Sequence, residues 1–89
     1  MSRRVIKKML RRAEEAIREE RFDDAENIYR RMLDAFSITT PSLLDHAGAI
    51  WGLVQTLHYK DQPERAIQLA QEAGNIIAAR QELVTAAAA

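Results

Sequence analysis

The chain has 89 residues, with thirteen basic side chains against thirteen acidic ones and no cysteine. That length allows one small domain with a marginal core, and the missing cysteine excludes disulfides and thiolate metal sites. With 47% hydrophobic residues but only three glycines and two prolines, the composition favours long helices over strands or disorder.

The first predicted helix covers residues 4–20. Val5, Ile6, Met9, Leu10, Ala13, Ala16 and Ile17 recur at spacings of three and four, which places them on one stripe. Residues 1–12 hold Arg3, Arg4, Lys7, Lys8, Arg11 and Arg12 and no acid, so formal neutrality hides a basic head. Residues 13–36 then hold eight acids against four arginines. A short break without glycine falls near Glu20-Arg21, where the apolar stripe shifts phase.

The second helix, 22–36, has the cleanest pattern. Phe22, Ala25, Ile28, Tyr29, Met32, Leu33 and Phe36 line one face, and Asp23, Asp24 and Glu26 sit in the first turn, where the helix dipole favours acids. Ser37 to Pro41 is the next break, with Thr40 a suitable N-cap and Pro41 a suitable first helical residue. Ser42, with Asp45 three residues on, also reads as part of that helix start. The third helix carries Leu43, Leu44, Ala47, Ile50, Trp51, Leu53, Val54 and Leu57, a surface wide enough to meet neighbours on two sides. After Lys60-Asp61-Gln62, Pro63 opens a fourth helix whose apolar face is Ala66, Ile67, Leu69, Ala70, Ala73, Ile76 and Ile77. Leu83 and Val84 extend it, and the alanines at 86–89 are expected to fray.

The fold expected is therefore all-α: one domain over 1–85, made of two antiparallel helix hairpins at about 4–36 and 41–84. The hairpins are related by sequence. Phe22-Asp-Asp-Ala25-Glu-Asn-Ile-Tyr29-Arg-Arg-Met32 aligns with Pro63-Glu-Arg-Ala66-Ile-Gln-Leu-Ala70-Gln-Glu-Ala73, an offset of 41 residues. The same offset carries Met9, Leu10, Ala13 and Ala16 onto Ile50, Trp51, Val54 and Leu57.

On these residues the chain resembles the tetratricopeptide repeat family. In that family the second helix of each repeat has an early alanine, an aromatic residue one turn later, then a small residue. Ala25, Tyr29 and Met32 approximate this, and Ala66, Ala70 and Ala73 follow it more loosely. The resemblance spans residues 5–80. It departs from the family where the inter-helix glycine is replaced by Glu20 and Asp61, and where the leucine–glycine pair of the first helix reads Arg12-Ala13 and Leu53-Val54. The repeat is also longer than the common length of about 34 residues, as in kinesin-light-chain-like repeats. The resemblance implies a right-handed α-solenoid fragment; a four-helix bundle is the competing architecture.

It also implies that the third helix lines a concave binding surface, exposing some of Gly48, Trp51, Gly52, Gln55, His58 and Tyr59 to a protein or peptide. A lone tryptophan is equally suited to the core, so both placements stay open. The basic head, Arg3 to Arg12, reads as a solvated helix face or as a surface for an acidic partner or membrane; nucleic acid is disfavoured without net positive charge or interleaved aromatics. Leu69, Ile76, Leu83 and Val84 read as an apolar edge for self-association or a hetero-complex.

Catalysis has little to stand on. His46 and His58 lie twelve apart on one helix, not on neighbouring turns, and no glycine-rich phosphate loop is present. The expectation is a cytoplasmic, non-catalytic interaction module with no cofactor or metal.

Overall fold

The structure is a computed structural model; it describes residues 2–38 and 41–88, the side chains of 82–88 excepted. Four helices form among these residues: α1 (Arg3–Arg18), α2 (Phe22–Phe36), α3 (Leu43–Tyr59) and α4 (Pro63–Ala88). No strand is present among them, and the chain is all-α. None of the described helices is long and apolar enough to cross a membrane.

Each hairpin turns on the same backbone device. Glu20 and Asp61 adopt positive φ, 59° and 58°. Around them the Arg21 amide donates to the Ala16 carbonyl at 2.7 Å and the Gln62 amide to the Leu57 carbonyl at 2.9 Å. The Glu20 and Asp61 amides donate to Ile17 and His58, both at 3.0 Å. This double closure of a helix C-terminus ordinarily places glycine at the left-handed residue. Here an acid stands there twice, 41 residues apart, so the offset read from side chains is repeated in the backbone.

Helix starts differ from expectation at one point. The cap of α3 is Ser42, whose hydroxyl accepts from the Asp45 amide at 3.1 Å. Pro41 lies outside the helix and is buried; its carbonyl accepts from Arg80 Nη2 at 2.6 Å. Thr40, the cap expected from the proline, lies outside the described residues. Pro63 does open α4, as its missing amide hydrogen allows. The tail expected to fray from residue 86 is helical through Ala88, in keeping with alanine's helix propensity.

The core runs through all four helices: Ile6, Ala13 and Ala16; Ala25, Tyr29, Met32 and Phe36; Ala49, Leu53 and Leu57; and Ala66. Small residues at the crossings let the helix axes approach. α3 is central, packed against α1, α2 and α4. Among the described residues α4 makes no close backbone approach to α1 or α2. A bundle closes its first helix on its last; this chain is an open stack, in which one hairpin lies on the next.

Two polar clusters lock the stack. Glu26, on α2, is nearly enclosed and takes hydrogen bonds from Lys60 Nζ at 2.8 Å and Arg30 Nε at 2.8 Å. Lys60 also meets Asp23 at 2.5 Å, and Arg65 reaches Glu26 at 3.6 Å. The Lys60 bond, then that from Arg30, holds the Glu26 carboxyl down at about 2 against the upward push of burial. At the other end Arg80 Nη1 lies 2.9 Å from His46 Nδ1, and the His46 ring meets Phe36 edge-on at 5.5 Å. Burial, and then the Arg80 charge, lowers the His46 pKa and keeps the ring neutral as an acceptor.

Candidate functional site

The exposed face of α3 is built from Leu44, Gly48, Trp51, Gln55 and His58, spaced four, three, four and three. Such spacing is one straight stripe on a helix. Trp51 stands in solvent at 63% exposure, which decides the placement the sequence left open. It forms a ridge between two grooves. On one side a hollow of about 360 Å³ runs between α1 and α3, floored by Leu10 and Ile17. On the other side a larger groove of about 540 Å³ lies between α3 and α4, walled by Trp51, Val54, Tyr59, Ala66, Ile67 and Ala70.

The larger groove is apolar and open. Ile67 is 59% exposed and Tyr59 55% exposed. Tyr59 is not loose: its ring stacks on Phe22 at 5.2 Å with planes 14° apart, leaving its outer part at the groove. Exposed apolar groups in a contiguous wall of this kind mark interaction surfaces more often than scattered ones do.

Of the six residues expected on this surface, five are exposed: Gly48, Trp51, Gln55, His58 and Tyr59. Gly52 is the correction. It is buried, and a Cβ placed there would run into the ring of Tyr29. The missing side chain admits the protein's own tyrosine, not a partner's backbone. Gly48, by contrast, faces open space. Leu44, 80% exposed, and Ile67 and Ala70 on α4 were not among the expected site residues. Ile67 and Ala70 belong to the apolar face of α4, whose periodicity alone does not say which of two neighbouring stripes meets α3.

Of the apolar edge expected on α4, Ile76 is exposed at 47%, and among the described residues Leu69 alone departs from it. Leu69 packs against the core. It and the exposed Ile76 flank a cleft of about 270 Å³ next to Leu33, Phe36 and Ile50, so they face back toward α2 and α3. The side chains of Leu83 and Val84 lie outside the described residues. A further exposed apolar edge of α4 lies on the opposite side, at Ile67 and Ala70.

Arg3, Arg4, Lys7, Lys8, Arg11 and Arg12 are all exposed, and none makes an ion pair among the described residues. Five of them surround a shallow hollow on α1. The histidines do not converge: His46 is buried beside Phe36 and Arg80, and His58 is on the outer stripe. Among the described residues no three His, Asp or Glu side chains gather as metal ligands would. The Glu26 cluster was not legible as a site, because Glu26 and Lys60 are separated by 34 residues.

Compared with family profiles, characterised proteins and solved structures, the chain matches none.

Proposed function

We propose that this chain is a non-catalytic protein-interaction module of two tetratricopeptide-like hairpins, working in the cytoplasm and binding a protein segment on the Trp51 ridge. The observation that carries this reading is the exposed Trp51 with an apolar groove beside it. Holding a tryptophan in water forgoes a burial worth about 1.5–3 kcal/mol for a large apolar side chain, and a partner recovers it. Aromatic side chains in such positions dominate binding energy at interfaces. The 41-residue repetition of the turn at Glu20 and Asp61 supports the repeat-like reading of the fold.

The test is affinity isolation from host lysate with the parent chain and with Trp51→Ala, a substitution at an exposed position that leaves the core intact. Proteins retained by the parent and lost by the variant support the proposal. An identical retained set for both would remove Trp51 as the binding residue.

A second reading is favoured by one observation, the six exposed cations of α1 without ion partners. They suit an anionic surface. Binding through them should weaken steeply with salt, whereas binding in the apolar groove should not.

A further inference from the structure

The two hairpins align in sequence at the offset of 41 and share their turn geometry, and this alignment shows what the α3–α4 groove lacks. In the first hairpin the matching face is covered by α3. Phe22 stacks on Tyr59, Tyr29 lies over Gly52, and Glu26 takes Lys60. In the second hairpin those three positions are Pro63, Ala70 and Ile67, and all three line the open groove. The groove is thus the place where a further helix would lie if the stack continued.

The substitutions define that helix. Tyr29 is large and demands glycine opposite it; Ala70 is small and leaves a notch that a large side chain would fill. Glu26 demands a cation; Ile67 demands an apolar group. We propose that the groove seats an amphipathic α-helix from another protein, lying as α3 lies on the first hairpin. That helix presents a bulky apolar residue where α3 has Gly52 and an apolar residue where α3 has Lys60. This rests on the interaction-module reading and names its partner class.

A second copy of the chain is a poor occupant. Its α1 is the repeat equivalent of α3, but the residues matching Ala49, Gly52, Thr56 and Lys60 are Lys8, Arg11, Glu15 and Glu19, all charged and exposed. Burying those against an apolar wall is costly. Pairing groove to groove on a two-fold axis sets two concavities against each other and lays no helix along either groove as α3 lies on the first hairpin.

The test uses the full chain and two labelled, helix-stapled peptides. Both have the sequence of residues 43–60 with their α4-facing positions made polar; one also carries Gly52→Leu and Lys60→Leu. Anisotropy titration should show the substituted peptide binding the parent about tenfold more tightly or better, the return expected from burying one leucine. The double variant Ala70→Tyr/Ile67→Glu rebuilds the face of the first hairpin at two exposed positions, and it should reverse the preference. Circular dichroism confirms that the variant is folded. Equal binding of both peptides to both proteins, or no binding at millimolar concentration, overturns the proposal. So does equally tight binding of the substituted peptide after a central proline has broken its helix. A concentration-dependent dimer that Ile67→Asp abolishes would assign the groove to a second copy instead. If no peptide binds but Trp51→Ala still loses a lysate partner, the interaction reading stands and the helical partner falls.

Discussion

The turns at Glu20 and Asp61 share a left-handed residue and the same pair of closing hydrogen bonds, and Ala25 and Ala66 are buried at matching crossings. The faces beside those turns differ. The first hairpin carries Tyr29 and Glu26 there and is closed by α3; the second carries Ala70 and Ile67 and is open. The backbone therefore repeats while the side chains at the joint do not. Two or three side chains at the joint thus decide whether the face beside a turn is covered within the chain or left open.

The largest effect should come from disturbing the closed joint. Gly52→Leu drives a side chain into the Tyr29 ring, and Ala25→Leu overpacks a crossing with no exposure. Each should cost about 1–3 kcal/mol in urea unfolding. Ala78→Leu, at an exposed position on α4, should stay within about 0.5 kcal/mol. Equal effects at the three sites would mean the joint is not where the stack is held.

Next comes the Glu26 cluster, which has no counterpart at Ile67. Glu26→Gln should cost about 1–2 kcal/mol at neutral pH, the range for losing charge-assisted hydrogen bonds at a partly exposed cluster. Its pH dependence is specific. A carboxyl held at about 2 when folded, against an ordinary 4.5, stabilises the fold above 4.5; that contribution is lost as pH falls from 4.5 toward 2. The variant should lack this loss. His46 adds an earlier one. Its folded pKa lies below the ordinary 6.5, so stability is complete above 6.5 and declines as pH falls through the folded value. Unfolding midpoints measured in steps from pH 8 to pH 3 should fall in two stages, and a flat profile would contradict both.

Smaller gains should come from the shared turn and the outer stripe. Glu20→Gly and Asp61→Gly each relieve a left-handed L-residue and should raise stability by similar amounts, about 0.5–1 kcal/mol. Unequal gains would break the equivalence of the two turns. Gly48→Ala, one helical turn from Gly52 and facing open space, should gain about 0.5–1 kcal/mol, the opposite sign to substitution at Gly52. The smallest change is expected at the basic head. Replacing Arg4, Lys8 and Arg12 with glutamine removes one cation, Arg4, from the first turn of α1 and two from its exposed face, and should shift the thermal midpoint slightly upward or not at all.

Much of the fold was legible in the sequence because helices are specified locally. Apolar spacing located four helices and, by its phase shift, the first break; prolines and polar residues located the other two, and the offset of 41 between Ala25 and Ala66 related the two hairpins. What escaped was non-local. Glu26 reads as one acid in a first turn until Lys60 is brought beside it from 34 residues away. Arg80 reads as a surface charge until the stack sets it against Pro41 and His46.

The candidate site divides along the same line. The tetratricopeptide resemblance named Gly48, Trp51, Gly52, Gln55, His58 and Tyr59 as surface candidates, and three- and four-residue steps fix that Gly48, Trp51, Gln55 and His58 share one stripe of α3. Periodicity could not say whether that stripe is core or surface. α3 is apolar nearly all round, and only its docking on three neighbours decides which side is left for water. Gly52 shows this most sharply: the sequence supplies an absent side chain, and the tertiary structure decides that Tyr29, from the preceding hairpin, occupies the space.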